Sequence, residues 1–477
     1  MELDQDLASR QEARTLAARA AQAQERLSQM DPKKLDSICQ AVARAFSAQA
    51  EHLARLAVEE TGFGNVPDKT EKNRFAADRV WEAIRDEKVL GVLREDKPKG
   101  LTELGVPVGV IAGIVPSTNP TSTVCYKTLI ALKSGNAIVF SPHPSAAKCT
   151  LRAAEVVASA AEAAGCPQGA VGCLTIPTMA ACEELMKSPH TRLILATGGP
   201  GMVKAAYSSG TPAIGVGAGN GPAYIHPSAD VQKAVDLIFR SKTFDNGTVC
   251  ASEQSVIVEK AHSQAVRSAL ARAGGYFLSP EEALKVAAVL FRANGAMNPK
   301  AVGRTAGDIA RLAGISVPNG TRVLLAREDG AGPGHPFSQE KLCPVLGFFE
   351  EENEDTVLRR SIEILRYEGR GHTFSLHARD EAVVRRFGAA IPVSRFLVNA
   401  PAAQGGIGAA TALFPALTLG CGAVGGSSSS NNIGPMDLVN IRRIAYGQET
   451  PRDPDLPGAL DEDTLSALAQ AILKKLQ

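Results

Sequence analysis

The chain has almost no excess of charge: 51 Lys and Arg stand against 50 Asp and Glu, a net of +1. Such a balance carries no electrostatic footprint for nucleic acid or for an anionic membrane, and neither is expected as a partner. No apolar run reaches the roughly 18 residues that a spanning helix needs. Residues 1–6 are acidic and lack the basic and apolar stretches of a secretory signal. A cytoplasmic protein is therefore expected. Nine cysteines are scattered through the chain, an odd number with no CxxC pair. That spacing indicates neither a zinc ribbon nor a disulfide framework, and no metal site is expected. Most of the nine should be small buried hydrophobes; the question is which one is not. A GxGxxG turn after a strand is also missing. Residues 215–221 (GVGAGNG) alternate glycines but follow no clear βαβ start, which makes a weak dinucleotide fingerprint.

What is present is strand–helix alternation. At 477 residues and 44% hydrophobic, the chain can bury sizeable cores in two to four domains of roughly 100–200 residues each. Residues 7–60 read as two or three helices broken at Asp31-Pro32. Residues 104–115 (LGVPVGVIAGIV) and 137–140 (AIVF) read as strands buried on both faces. Helices are expected at 128–133, 145–164 and 201–209, with a strand at 191–196. The second half continues with strands at 255–258, 341–349 and 395–398, helices at 261–273, 280–292 and 354–366, and a last strand at 439–446. No fixed-period repeat occurs. The alternation predicts an α/β fold with doubly wound parallel sheets. Residues 448–458 hold three prolines and read as an extended linker. Residues 459–477 follow as an amphipathic helix, with Leu465, Leu468, Ile472 and Leu476 on one face. Acids at its start and Lys474 and Lys475 at its end suit the helix dipole. Such a helix cannot bury its apolar face alone; it docks on a partner, on its own domain or on a sister subunit.

Three segments carry chemistry. In FDNGTVCASEQSVIV (244–258), Cys250 sits in a small-residue loop before a buried strand. Gly247 and Ala251 leave room around it, and backbone N–H groups there suit an oxyanion. In VPVGVIAGIVPSTNPT (106–121), a strand ends in Pro116-Ser117-Thr118-Asn119-Pro120. Asn119 offers either an amide donor at a carboxyl strand end or an Asx turn before Pro120. In ATGGPGMVK (196–204), Thr197, Gly198 and Gly199 open a helix, a ready pyrophosphate site.

Taken in order with ALKSGNAIVFSPHPSA, FSQEKLCPVLGFF, GHTFSLH and LTLGCGAVGG, these segments make the chain resemble the aldehyde dehydrogenase superfamily over residues 13–447. The resemblance is to its coenzyme A-acylating branch, which includes the propanal and ethanal dehydrogenases of bacterial microcompartments. It implies two doubly wound domains and a small oligomerisation β-flap. The cofactor-binding domain is expected at 1–90 and 104–225, the catalytic domain at 226–425, and the flap at 91–103 and 436–447. It also implies roles. Cys250 is the nucleophile and Asn119 the oxyanion donor. NAD is held by Pro116, Ser117, Thr118, Ser141, Pro142, His143, Thr197, Gly198, Gly199, Val216, Gly217, Glu340 and Leu342, with Glu340 on the nicotinamide ribose. His372 is a possible proton relay. Cys125, Cys343 and Cys421 are expected to pack, and Lys127 and Lys133 to be solvated.

The departures from hydrolytic relatives are informative. Their general-base glutamate falls at Val216 here, so water lacks its activator and coenzyme A is the expected acceptor. Their ribose-gripping Lys and Glu fall at Ser141 and Pro144, which loosens NAD. The expected reaction takes a small uncharged aldehyde such as propanal, with NAD and coenzyme A, to acyl-CoA and NADH. The resemblance further implies a homo-oligomer, dimer or tetramer. The tail suggests docking to a microcompartment shell protein. The rivals are a hydrolytic enzyme, a phosphorylating semialdehyde reductase, which would need a cation near Cys250 that the sequence does not reveal, and an idle scaffold.

Overall fold

Polar caps set the helical N-terminal layer. In the computed structural model, which describes residues 4–448 and 462–476, Asp4, Asp31 and Asn65 accept backbone N–H groups at the starts of helices Gln5–Leu27, Pro32–Ala48 and Val66–Arg74. Gly62, at φ +68°, ends helix Ala50–Thr61 in a left-handed cap. The break at Asp31-Pro32 is therefore one of several. Helix Val66–Arg74 runs on through a π-helical turn, Phe75–Arg79, into Val80–Ile84. A buried stripe of small residues, Ala13, Ala17, Ala20 and Ala23, joins the first helix to the core of the first sheet.

The strands are β1 (Gly91–Asp96), β2 (Leu101–Pro107), β3 (Val110–Ile114), β4 (Ala137–Ser141), β5 (Val171–Cys173), β6 (Thr191–Thr197), β7 (Ala213–Val216), β8 (Gly221–Ile225), β9 (Glu253–Glu259), β10 (Gly275–Phe277), β11 (Val323–Arg327), β12 (Val345–Glu351), β13 (Gly371–His377), β14 (Val393–Val398) and β15 (Val439–Ala445). One parallel sheet has the order β5-β4-β3-β6-β7. A second, also parallel, has the order β10-β11-β12-β9-β8-β13-β14. Both are buried on two faces, as the Val- and Ile-rich runs imply. The strand order of the first sheet reverses between β3 and β6, a topological switch point that opens a crevice at their carboxyl ends.

Two expectations are corrected here. The chain leaves the first sheet after Val216, and β8 pairs with β9 and β13. The change of sheet thus falls at 217–220, ahead of the expected boundary at 225/226. Lys127 and Lys133 are buried, not solvated. Helix Pro120–Lys133 is buried all round, so it shows no amphipathic stripe from which to read its faces. Lys127 Nζ donates to the carbonyls of Ile114 (2.7 Å) and Leu195 (2.8 Å), and Lys133 Nζ meets Asp36 at 2.5 Å.

Residues 92–104 and 441–448 belong to a separate small unit whose strands take the order β1-β2-β15. Within it Arg443 Nε donates to Glu103 at 3.0 Å. The turn Pro435–Leu438, expected at the start of the flap's second segment, belongs to the larger unit. Helix Glu462–Leu476 is present, with Leu465, Leu468 and Ile472 exposed. The proline-rich stretch from residue 449 on lies outside the described residues. Among the described residues no helix is long and apolar enough to cross a membrane.

Candidate active site

Cys250 lies on the loop that enters β9. The backbone before it is unusual: Asp245 (φ +48°), Asn246 (φ +53°) and Gly247 (φ +79°) are consecutive left-handed residues. Non-glycine residues persist there only where surroundings over-determine them. Asp245 is fully buried and supplies that determination. Its Oδ1 accepts from the Asn65 N–H at 2.9 Å. Its Oδ2 accepts from Lys69 Nζ (2.9 Å), Lys72 Nζ (2.6 Å) and Thr248 Oγ1 (2.6 Å). The two ammonium groups hold its carboxyl below the usual range even though burial alone would raise it. Gly247 packs on the backbone of Cys343, where a β-carbon would approach to 3.0 Å. It therefore serves a close approach, where the sequence suggested spare room.

Of the nine cysteines, eight are buried and Cys250 alone is partly exposed. Burial pushes its thiol up to about 12, Glu340 adds to the rise, and Arg395 pulls the other way. The free protein thus holds a thiol at neutral pH. Arg395 is buried on β14 and donates to the Gly420 carbonyl at 2.7 Å, behind the wall formed by Leu419.

A cavity of about 240 Å³ brings Cys250 together with Asn119, Pro116, Ser117 and Thr118 from the end of β3. Its wall also holds Thr197, Gly198 and Gly199 from the end of β6, Val216 and Gly217, His143, Glu340 and Leu342. Val249, Ile407, Leu417 and Leu419 make its apolar side. A second cavity of about 340 Å³ adjoins Thr197–Gly199 and carries Ser141, Pro142 and His143. The two together fit an extended dinucleotide. They share the crevice at the switch point, and Gly199 opens helix Pro200–Tyr207 with no side-chain cap, leaving its first N–H groups free of one. Gly198 and Gly199 leave room for a phosphate: an added β-carbon meets nothing within 4 Å at Gly199 and only Met202 at 3.6 Å at Gly198.

Asn119 makes no cap bond to its own helix, which removes the Asx-turn reading. Its Oδ1 accepts from Lys72 Nζ at 2.7 Å, and its Nδ2 donates to the Thr248 carbonyl at 3.1 Å. Glu340 Oε1 accepts from the Gly219 N–H at 2.8 Å. Burial, then the neighbouring Glu368, pushes the Glu340 carboxyl up to about 8.

His372 is not brought to either cavity wall. It is buried, its Nδ1 lies 2.8 Å from Thr373 Oγ1, and its Nε2 has no partner. Burial, then Arg395, holds its imidazolium well below the usual histidine range. Conversely, cations that the sequence does not reveal stand near Cys250. Lys72 lines the cavity and Arg395 acts on the thiol. Lys69, Lys72 and Asp245 were missed because their pairing spans 173 or more residues; the one local signal was an acid inside the catalytic loop.

The sequence model of the aldehyde dehydrogenase family matches residues 4–275. The bifunctional aldehyde-alcohol dehydrogenase AdhE of Escherichia coli (strain K12) is 44% identical over 94% of this chain and 52% of its own length. The chain thus spans about half the length of the bifunctional curated relatives it matches. Solved structures align over nearly their whole length. A probable aldehyde dehydrogenase from Listeria monocytogenes EGD-e is 53% identical with a TM-score of 0.93, covering 94% of this chain and 100% of that one. An acetylating aldehyde dehydrogenase from Geobacillus thermoglucosidasius is 49% identical with a TM-score of 0.92, over 94% and 100%. A propionaldehyde dehydrogenase from the Clostridium phytofermentans fucose utilisation bacterial microcompartment is 28% identical with a TM-score of 0.81, over 90% and 96%.

Proposed function

The chain belongs to the aldehyde dehydrogenase family, among its acylating members, and from that premise we propose that it converts a small aldehyde, NAD and coenzyme A to acyl-CoA and NADH. One observation carries the choice of acceptor. Among the described residues on the Cys250 cavity wall, the only carboxylate is Glu340, tied to the Gly219 N–H; Val216, where the resemblance puts the base of hydrolytic members, lines the same wall. Water there has no activator, a deficit of typically 10²–10⁴-fold. A thiol acceptor needs less help, because its thiolate is a strong nucleophile even at low population.

In the reaction, Cys250 sulfur bonds to the aldehyde carbon as the thiol proton passes to solvent, the one proton the overall reaction releases. The Asn119 amide and the Cys250 backbone N–H hold the oxyanion, each donor worth roughly 3–4 kcal/mol. Thr197–Gly199 would hold the phosphates of NAD and Glu340 its ribose, and the bound nicotinamide would supply the acceptor for the hydride on that carbon. The carbonyl re-forms as a thioester on Cys250. The sulfur of coenzyme A then bonds to the acyl carbon as the bond to Cys250 sulfur breaks, and the proton lost by the coenzyme A thiol is balanced by the one that returns to Cys250. The wall of Val249, Ile407, Leu417 and Leu419 suits a short uncharged chain, two or three carbons long. Lys72 is saturated by Asp245, Asn119 and Thr248 and offers no phosphate site, which disfavours the phosphorylating rival.

The test is NADH formation with acetaldehyde or propanal and NAD, with and without coenzyme A. Sustained turnover only with coenzyme A supports the proposal; equal turnover without it overturns the choice of acceptor. Cys250→Ala is expected to be inactive, and substantial activity in it would sink the assignment.

The exposed apolar face of helix Glu462–Leu476 supports a second reading, docking to a microcompartment shell protein. The likeness to the C. phytofermentans enzyme agrees with it. Deleting residues 459–477 should leave turnover intact and abolish co-purification with shell protein; loss of folding would make the tail structural instead. The small unit with β1, β2 and β15 is likewise proposed to join copies of the chain.

A further inference from the structure

The amide of Asn119 has its orientation fixed by chemistry. Lys72 Nζ carries only donors, so the atom 2.7 Å from it must be Oδ1. The Nδ2 hydrogens then fall to the Thr248 carbonyl at 3.1 Å and Thr118 Oγ1 at 3.3 Å. Both are longer than a typical N–H···O bond, whose most common length is about 2.9–3.0 Å, so both donors are readily surrendered to an incoming oxyanion. Lys72 itself is buried, 3% exposed, on helix Val66–Arg74. Beyond Asn119 it meets Asp245 Oδ2 (2.6 Å) and the Thr248 hydroxyl (3.2 Å), and it stands 5.5 Å from the Phe244 ring centroid. Lys69, beside it, donates to the Thr118 carbonyl and to the same Asp245 oxygen, each at 2.9 Å. Asp68, on the same helix, accepts the Asp245 N–H at 2.7 Å. Burial lowers the Lys72 ammonium to about 8 while Asp245 opposes the fall, so it is charged at neutral pH. A buried ammonium on Oδ1 draws electron density from the amide and makes its N–H groups stronger donors.

We propose that Lys72 is a positioning residue for the oxyanion site: it aims and polarises the Asn119 amide, and it acts on the reaction only through Asn119. The proposal rests on the reading that aldehyde acylates Cys250.

The test is a double-mutant cycle on the first NADH burst, with aldehyde and NAD and no coenzyme A, in the full-length protein. Asn119→Ala should slow the burst by about 10²–10³-fold, as loss of an oxyanion donor does. Lys72→Met should slow it by about tenfold or more alone, yet by less than about twofold in the Asn119→Ala background, because what it acts on is gone. The rate of Cys250 alkylation by iodoacetamide and the Kd for NAD should stay within about twofold of wild type. Multiplicative losses, or an alkylation rate that falls with the burst, would overturn the proposal and reduce Lys72 to a structural tie. If Lys72→Met does not fold, Lys72→Gln, which keeps a neutral N–H donor, is carried through the same cycle and decides in the same way. A wild type with no burst overturns the acylation reading and this proposal with it. A normal wild-type burst with multiplicative losses overturns this proposal alone.

Discussion

A β-carbon on Gly219 would lie 1.7 Å from the carbonyl oxygen of Cys250. The chain crosses from one sheet to the other at this point, pressed against the backbone of the nucleophile. The same Gly219 gives its N–H to Glu340. One glycine therefore sets the spacing between the proposed nucleophile and the carboxyl proposed to hold the ribose.

Gly219→Ala should displace the Cys250 loop by enough to lower kcat about 100-fold, since misplacement of about 1 Å has that effect. Steady-state kinetics beside a denaturant midpoint separates this from unfolding. A variant with wild-type kcat would mean the loop yields freely.

The Cys250 thiol, raised to about 12, should make alkylation rise close to tenfold per pH unit from pH 8 to 10. Glu340 raises that thiol only once ionised, and its own carboxyl titrates at about 8. Glu340→Gln should therefore speed alkylation above pH 8 and leave it little changed below. Arg395→Met, which removes a cation pulling the thiol down, should slow it throughout. A plateau below pH 9 in wild type would contradict the buried-thiol reading.

Val216→Glu places a carboxylate on the wall that carries Cys250, at the position proposed to match the base of hydrolytic members. Turnover of aldehyde and NAD without coenzyme A should rise at least about tenfold. No rise, in a variant that still folds and acylates, would show that water is excluded for another reason.

Lys127→Met orphans two carbonyls, at the ends of β3 and β6, and should lower unfolding free energy by at least about 2 kcal/mol. Lys127 titrates at about 7 in the folded protein against an unfolded value of about 10.4. Between those values the unfolded chain binds the extra proton, so this site favours folding more as pH rises and less as pH falls towards 7. Urea midpoints from pH 7 to 10 should rise less steeply in the variant. Parallel curves would mean Lys127 stays charged throughout.

Much of this was readable along the chain. Buried parallel strands announce themselves as Val- and Ile-rich runs, and caps such as Asp31-Pro32 as local signals. The acylating-branch motifs brought Cys250, Asn119 and Glu340 to attention before any contact was known. Some of the misses share a cause. Strand β13 is buried along its whole length but contains His372, Thr373, Ser375 and His377, so its polarity disguises it. Helix Pro120–Lys133 hides in the same way, with two lysines inside it.

What the sequence by itself determined is therefore the type of many strongly apolar elements, the family, and the residues whose motif is contiguous. What only the tertiary structure decided is where charge lies relative to the nucleophile. Lys72 reaches Asn119 across 47 residues and Asp245 across 173. Arg395 comes to Cys250 from β14, and Gly219 meets it where two sheets adjoin. Periodicity reports which face of an element is dry; it carries no record of which distant side chain fills the space beyond that face.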